Sequence, residues 1–405
     1  MPIEWPKGKR PVFIGAGSTM CRRYYGGSKS ARANEAALNA IADAGLKPSD
    51  IDGVASWADP NWGPSVKGDP SVWLDASHIM SAVPFDNIKW WIQTDLPAAG
   101  SVSMIHIAAA ALGSGVCNYA ICIRTGHHPA GVRYRQVSGS SAGGTSAYST
   151  VYGHGVGGSG QAITYQRYLE KFGAKREEMA AYVINAHKNA QMNEYAVWNG
   201  RQITYDDYIN SRLIAYPMCV FDNDMPVDGI QAVIMTTEDR AKDTPHPGGY
   251  IAGMGASVWN MRKTGVVTSL ENQYEFEGQH GKNLFDSAGM KPSDIDLIHL
   301  YDGFSPMTWM WLETMGLVPE GEAHSWMQNG TIDIDGPHPM NTSGGNLGNG
   351  RIHGMTHIWE TARQMMGTAG EGQLPRPGGQ LKNLDVAICE TGPHGNGSSF
   401  ICTRE

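Results

Sequence analysis

Three groups of residues in this chain have types and spacings that could do chemistry, and the first is its cysteines. There are six, at positions 21, 117, 122, 219, 389 and 402, and a cysteine can supply a nucleophile or bind a metal. No two have the Cys-x-x-Cys spacing typical of zinc sites, and six are too few for a disulfide framework in so long a chain. Cys117 and Cys122 lie in or beside a strand-like apolar run, where thiols are usually buried and inert. We therefore predict no metal site.

The other two groups are an acidic cluster and a glycine motif. Asp222, Asp224 and Asp228 could bind a cation, but their spacing lacks the loop pattern that calcium sites use. Residues 12–17 form an apolar run that enters Gly-x-Gly, as a dinucleotide-binding fingerprint does, but Met20 stands where its third glycine belongs. This pattern favours a first core strand that ends in a glycine turn.

The composition limits the class of protein. The 405 residues include 31 Lys+Arg and 39 Asp+Glu, and the net charge of −8 argues against nucleic acid or an anionic membrane as the main partner. No apolar run reaches the roughly 18 residues of a membrane span. The N-terminal residues lack the apolar core of a signal peptide, so we expect a cytoplasmic protein.

The elements that must position any site occur twice along the chain. Residues 44–54 (AGLKPSDIDGV) recur as 288–298 (AGMKPSDIDLI), and both copies follow a helical pattern and precede a short apolar run. Residues 119–126 similarly resemble 386–392. We predict two α/β halves, 1–265 and 266–405, with a domain of different texture, 124–221, inserted in the first.

A stretch between the two repeats resembles the thiolases linked to sterol carrier proteins. The matching segments are 193–196, 211–217, the acidic pair Asp222 and Asp224, and 228–229. The resemblance extends along essentially the whole chain. It implies the α/β fold of the thiolase superfamily, a duplicated five-layer αβαβα core with an inserted loop domain, and a homodimer.

The chain departs from this family at the catalytic cysteine. Thiolases place that residue in a Cys-x-x-Gly loop before a long buried helix, and the matching stretch here has Pro97 in its place, followed by Gly100 and Ser101. Proline cannot carry an acyl group, so chemistry through an acyl-cysteine is disfavoured. The resemblance leaves Gly100 and Ser101 as candidate substrate-binding residues.

The second matching block is 300–305, where the family has His-Asp-x-Phe-Thr. Tyr301 replaces the histidine of the oxyanion hole, and Asp302 follows it. A tyrosine at this place can donate or accept a proton and can hydrogen-bond an alkoxide or enolate. The alternative is a core aromatic residue at the end of a strand.

Two glycine-rich loops complete the match. In the loop 341–354, Arg351 takes the place of the general-base histidine and His353 lies two residues further on, so either side chain could face the site. The same loop supplies three further candidate substrate-binding residues, Gly344, Gly345 and Asn346. In the loop 391–397, Thr391 stands near the family's second cysteine and His394 is a new polar group, for which a structural role is the alternative.

A scaffold that has lost the cysteine and both histidines is similar to the thiolase-like steroid side-chain aldolases of bacterial sterol and bile-acid breakdown. These carry a tyrosine at the position of Tyr301. The resemblance implies retro-aldol cleavage of a 17-hydroxy steroid side-chain CoA thioester, which gives a 17-keto steroid and a short acyl-CoA. It also implies no cofactor beyond the CoA of the substrate, and a complex with a small OB-fold and zinc-ribbon protein. The second tyrosine of that family, expected within 341–354, is absent here.

On this hypothesis each candidate receives a role. Tyr301 handles the hydroxyl proton, Asp302 orients its neighbours, and stabilisation of the enolate or proton relay falls to three residues, Arg351, His353 and His394. Four tryptophans could line an apolar cleft of steroid size: Trp90, Trp91, Trp309 and Trp311. Two alternatives remain open at this point, an acyl-transferring thiolase variant and a non-catalytic carrier of acyl-CoA or lipid.

Overall fold

A computed structural model describes residues 1–23, 28–57, 75–94, 99–126, 158–257, 269–393 and 395–405. The strands in this part of the chain are β1 (Pro11–Ser18), β2 (Gly53–Trp57), β3 (Trp90–Thr94), β4 (Ala120–Gly126), β5 (Leu213–Ala215), β6 (Met218–Cys219), β7 (Gly229–Thr237), β8 (Tyr250–Ala256), β9 (Leu297–His299), β10 (Val386–Thr391) and β11 (Ser398–Thr403). The helices are α1 (Lys29–Asp43), α2 (Ala76–Ala82), α3 (Ala99–Gly113), α4 (Ser159–Phe172), α5 (Ala180–Asn189), α6 (Tyr205–Ile209), α7 (Glu238–Ala241), α8 (Leu270–Ala288), α9 (Pro306–Thr314), α10 (Ala323–Trp326), α11 (Gly345–Asn349) and α12 (Met355–Met366). Within the described ranges no helix is long and apolar enough to cross a bilayer.

Two sheets with matching topology form the frame. The first has the order β1-β7-β4-β2-β3 and the second has the order β8-β11-β10-β9. In each sheet the two central strands, β4 with β7 and β10 with β11, run antiparallel, and β4 and β10 run parallel to β2 and β9. Met340 pairs with Ile298 of β9 in an isolated parallel bridge, at the position that β3 takes beside β2 in the first sheet. The predicted duplication is therefore present in the strand order.

The repeated KPSDID sequence makes the same turn in both halves. Asp50 accepts the backbone N–H of Lys47 at 2.8 Å, and Asp294 accepts that of Lys291 at 2.8 Å. In each copy the proline opens a short 3₁₀ turn, a position where its missing N–H costs nothing. The turns lead into β2 and β9, as the repeat predicts.

Five layers result from the way the helices pack. The helices α3 and α12 lie between the sheets, since α3 contacts strands of both sheets and α12 contacts β1, β7 and β10. The helices α1 and α2 cover the outer face of the first sheet, and α8, with α9 against it, covers that of the second. A helix buried between two sheets must be apolar on most sides, and the sequence of α3 is apolar on most sides. The predicted αβαβα arrangement is confirmed.

The pairing of β8 concerns the segment just before the predicted boundary between the two halves. β8 lies before residue 265, yet it pairs antiparallel with β11 and so belongs to the second sheet. Arg124 lies inside β4, so the segment inserted in the first half leaves its sheet after Gly126 and returns at Gly229 in the neighbouring strand. Sequence repeats mark similar segments, but only strand pairing shows which sheet a segment between them joins.

The predicted tryptophan cleft is not present. Trp309 and Trp311 have exposed fractions of 0% because α9 is buried along its whole length, and Trp309 packs against Tyr165 at a ring distance of 5.6 Å. Trp90 is half-buried, and Trp91 lies on the edge strand β3 with 57% of its surface exposed. The first pair are core residues, and the second pair lie at an edge of the first sheet.

Candidate functional site

Tyr301 lies two residues beyond the end of β9 and is 5% exposed. Its backbone N–H donates to Glu390 Oε2 at 3.2 Å, and its ring centroid is 6.2 Å from that of His357. The phenol lies directly over Gly303, because a Cβ placed on Gly303 would be 2.7 Å from Tyr301 Oη. A glycine at 303 is therefore what allows the tyrosine to take this position.

This contact gives a prediction for Gly303→Ala. We expect the new methyl group to push the phenol of Tyr301 aside, since 2.7 Å is well inside van der Waals contact. Displacement of a reacting group by about 1 Å can cost about 10²-fold in rate, so kcat should fall about 10- to 100-fold with little change in melting temperature. Steady-state kinetics will show this, and Gly278→Ala in α8, where a Cβ meets no atom within 4 Å, is the matched control. Unchanged kcat in Gly303→Ala would contradict it.

Asp302 is fully buried, and each of its oxygens has partners. Oδ1 accepts the N–H of Asn346 at 2.7 Å, and Oδ2 accepts the hydroxyl of Tyr182 at 2.7 Å and the N–H of Leu347 at 3.2 Å. His357 Nε2 lies 3.1 Å from Oδ1. With both oxygens occupied, this carboxylate is placed to fix the start of α11, and its orienting role in catalysis stays a prediction.

The loop that enters α11 contains the predicted residues Gly344, Gly345 and Asn346. Both glycines have positive φ, 99° and 59°, and a side chain on Gly345 would collide with the carboxylate of Asp302. Asn346 is fully buried, and its Nδ2 has no hydrogen-bond partner among the described residues. A buried amide donor of this kind is available to an oxygen of a ligand, so substrate binding by Asn346 stays a prediction.

Arg351 and His353 lie together, and a second arginine joins them. Arg351 Nε is 2.7 Å from His353 Nε2, and Arg124 Nη2 is 2.7 Å from His353 Nδ1. All three side chains are buried, with exposed fractions of 5%, 6% and 0% for Arg351, His353 and Arg124. A neutral imidazole has one acceptor nitrogen, so His353 in that form can accept from only one of the two guanidinium groups. The arrangement concentrates positive charge at the loop end.

The first residues of α3 support this cluster. Ser101 Oγ donates to the carbonyl of His353 at 2.8 Å, and a Cβ on Gly100 would lie 2.9 Å from the ring of Trp57. That ring stands edge-on to His353 at 4.9 Å and lies under the guanidinium of Arg124 at 3.3 Å. Ser101 thus bonds the backbone of His353, which has a left-handed conformation with φ 44°, and Gly100 leaves room for the Trp57 ring beside it.

Sequence reasoning missed Arg124 and Glu390. Both are charged residues inside otherwise apolar strands, β4 and β10, and each has an exposed fraction of 0%. A charged residue in a buried strand is the signal that could have identified them, since such groups are almost never fully buried without a partner.

The acidic cluster does not form a cation site. Asp224 Oδ2 lies 3.6 Å from Arg351 Nε, and Asp222 accepts the hydroxyl of Tyr208 at 2.9 Å and the N–H of Cys219 at 2.7 Å. Burial raises the pKa of Asp222. Among the described residues no group of histidine, cysteine or acidic side chains could hold a metal ion.

The cysteines have the burial that is typical of inert thiols. All six thiols are buried, and burial raises the pKa of Cys21, Cys117 and Cys402 to about 12, which removes the thiolate needed for nucleophilic attack. This agrees with their predicted inertness. Pro97 and His394 lie outside the described residues.

The buried side chain of His187 predicts that the free energy of unfolding falls as pH falls. Burial lowers the pKa of His187 to about 4, so the unfolded chain binds a proton between pH 6.5 and 4 that the folded chain does not. The stabilisation that neutral His187 provides is therefore complete above pH 6.5 and is lost as pH falls toward 4, by about 1.4 kcal/mol per unit. His187→Phe should become more stable relative to wild type as pH falls from 7 to 5, in denaturant unfolding at each pH. A difference that does not change with pH would contradict this.

With this geometry known, the chain can be compared with known proteins. The family model "Thiolase C-terminal domain-like" matches residues 272–390. The steroid side-chain-cleaving aldolase of Thermomonospora curvata is 31% identical over 88% of this chain and 90% of its own length. The chain belongs to the steroid side-chain-cleaving aldolases of the thiolase superfamily.

Two further relatives agree with this assignment. The 17-hydroxy-3-oxo-4-pregnene-20-carboxyl-CoA lyase of Mycobacterium tuberculosis is 29% identical to this aldolase over 88% of the chain and 92% of its own length. The solved structure of the Ltp2-ChsH2(DUF35) aldolase superposes with a TM-score of 0.83 at 28% identity and covers 98% of both chains. The aldolase is a carbon–carbon lyase that acts on a CoA thioester, so the acyl-transferring and carrier alternatives are set aside.

Proposed function

We propose that the aldolase cleaves a 17-hydroxy steroid side-chain CoA thioester by a retro-aldol reaction, giving a 17-keto steroid and a short acyl-CoA. The observation that supports this most directly is the 31% identity with a steroid side-chain-cleaving aldolase over nearly the whole chain. Tyr301 provides the chemistry, since it lies at the position from which thiolases stabilise an oxyanion.

The reaction moves one proton and breaks one bond. A base removes the proton of the C17 hydroxyl, the bond from C17 to the side chain breaks as the C17 carbonyl forms, and the acyl-CoA leaves as an enolate that then takes up a proton at carbon. The net change is transfer of the hydroxyl proton to carbon, so no covalent intermediate with a cysteine is needed. Tyr301, in its phenolate form, receives the hydroxyl proton and becomes the neutral phenol, and the charge of Arg351 stabilises the enolate oxygen with His353 beside it.

Residues 223–226 contact both the loop that carries Tyr301 and the loop that carries Arg351. Asp224 N–H donates to the carbonyl of Gly303 at 3.3 Å, and Arg351 N–H donates to the carbonyl of Met225 at 2.8 Å. These bonds belong to two isolated bridges, between Asn223 and Phe304 and between Pro226 and Arg351. Tyr301 and Arg351 therefore belong to loops held by the same strip of backbone, as two groups acting on one substrate require.

The reaction as proposed needs no cofactor other than the CoA of the substrate. Proton transfer by Tyr301 and the positive charge of Arg351 supply the functions that the two steps require. Turnover should therefore persist when the aldolase alone is dialysed extensively against a chelator and then combined with untreated partner. If the dialysed aldolase is inactive and added zinc restores it, the proposal of a cofactor-free aldolase is wrong.

Two protein partners complete the proposal. The first is a second copy of the chain, because β3 is an edge strand that exposes 57% of Trp91. The second is a small OB-fold and zinc-ribbon protein, because the related solved structure pairs the aldolase Ltp2 with ChsH2(DUF35). Sedimentation of the aldolase alone and with the partner will give both stoichiometries.

We place the reaction in the cytoplasm and expect no nucleic-acid or membrane partner.

The experiment that tests the function uses the aldolase co-expressed with its partner. The complex is incubated with a 17-hydroxy steroid side-chain CoA thioester, and the 17-ketone and the short acyl-CoA are measured by mass spectrometry. Equal amounts of both products are expected. If the thioester binds and neither product forms, the lyase proposal fails for that substrate and a carrier role replaces it.

A further inference from the structure

A pair of buried glutamates lies behind Tyr301, and the mechanism does not use either. Glu390, on β10, and Glu277, on α8, both have exposed fractions of 0%. Glu390 Oε2 accepts the backbone N–H of Tyr301 at 3.2 Å, and its Oε1 has no hydrogen-bond partner among the described residues. Oε1 faces Gly397, since a Cβ placed there would lie 3.2 Å away.

Glu277 is surrounded by donors. Its Oε1 accepts the N–H of Gly395, and its Oε2 accepts the hydroxyl of Ser257 at 2.9 Å and lies 3.2 Å from His280 Nδ1. His280 Nε2 is in turn 2.7 Å from Ser399 Oγ. These contacts provide partners for both carboxyl oxygens of Glu277.

Glu390 has no comparable set of donors among the described residues. Burial and the neighbouring Glu277 raise the pKa of Glu390 well above its ordinary value, and the N–H of Tyr301 opposes this only in part. This direction favours the neutral acid form of Glu390. A neutral carbonyl oxygen is sufficient to accept the Tyr301 N–H, so the glutamine amide can replace the acid at this position without loss of the bond.

We propose that Glu390 is a positioning residue for Tyr301. Its carboxyl group accepts the backbone N–H of Tyr301 just beyond the last hydrogen-bonded residue of β9 and so holds the tyrosine backbone in place. Because β9 ends at His299, the Tyr301 N–H lies beyond the ladder and bonds to a side chain of the neighbouring strand instead. Loss of this acceptor removes the bond from a buried N–H and frees the segment that carries the phenol. This proposal rests on the proposed function in one respect, the catalytic role of Tyr301.

The test compares Glu390→Gln, which keeps an acceptor of the same shape, with Glu390→Met, which keeps the volume without it. We expect Gln to retain kcat within about threefold of wild type and Met to lose about 10- to 100-fold with KM nearly unchanged. Glu360→Gln is the matched control, because Glu360 is also a buried glutamate with a raised pKa but contacts Thr342 and Gln364 instead. If Gln loses as much as Met, the proton itself is needed and the positioning proposal is wrong; unchanged kcat in Met also overturns it.

A second measurement does not depend on turnover. In protein labelled with ¹⁵N-tyrosine, the Tyr301 amide signal is identified by its absence in Tyr301→Phe. It should shift strongly in Glu390→Met and little in Glu390→Gln, even if the steroid substrate is wrong. An unmoved signal in Glu390→Met overturns the proposal. In the Tyr301→Phe background Glu390→Met should have no further effect on kcat, because residues that act through one another are not additive.

Discussion

Replacement of Tyr301 by phenylalanine is expected to lower kcat by about 10²- to 10⁴-fold, the range that a positioned acid–base group contributes. The ring is retained, so packing against Gly303 and His357 should persist and the melting temperature should change little. KM for the CoA thioester should stay within about threefold, because an interaction made mainly in the transition state lowers kcat without weakening substrate binding. Single-turnover and steady-state kinetics of product release will measure both.

Tyr165→Phe is the matched control for this result. Tyr165 is also fully buried, and its hydroxyl has no hydrogen-bond partner among the described residues. Loss of the Tyr165 hydroxyl should leave kcat unchanged. A decrease in kcat that occurs only in Tyr301→Phe therefore reports chemistry rather than the loss of a buried hydroxyl group. If Tyr301→Phe retains more than a third of wild-type kcat, another residue handles the hydroxyl proton.

Much of the frame could be predicted because the chain repeats itself. The KPSDID turns are short local structures, each closed by an aspartate that accepts an N–H three residues earlier, so identical sequences give identical turns. The helix pattern before each turn and the apolar run after it then determine a βα unit. The boundary at 265 stays a prediction, and the pairing of β8 with β11, which joins segments about 150 residues apart, could not be predicted because no local pattern records it.

The site was predictable where the resemblance identified loops and was not where distant side chains meet. Tyr301, Arg351 and His353 came from the loops, but the contact of Arg124 with His353 joins residues 229 positions apart. Glu390 was missed for the same reason, since its partner is a backbone N–H 89 residues away. The tryptophans were misplaced because an aromatic residue suits a core and a ligand cleft equally well, and only the packing of α9 decides between them.

The second large effect is expected at Arg351, where replacement by methionine should lower kcat by about 10²-fold or more through loss of the charge that stabilises the enolate. The same change leaves Asp224 buried without this partner, since Asp224 Oδ2 lies 3.6 Å from Arg351 Nε. Loss of one partner of a buried ion pair typically destabilises a protein by about 3–5 kcal/mol. A fall in activity alone would therefore not separate catalysis from folding.

The double variant Asp224→Asn with Arg351→Met separates the two effects. Removing both charges should recover most of the free energy of unfolding, measured in urea, because no uncompensated charge is left buried. Turnover should stay as low as in Arg351→Met, because neither asparagine nor methionine can supply the positive charge that the proposed mechanism assigns to Arg351. Arg351→Lys should fall in between, since it keeps the charge without the planar donors that contact His353. If the double variant recovers activity together with stability, Arg351 serves only to neutralise Asp224, and the enolate must be stabilised by Arg124 or Asn346 instead.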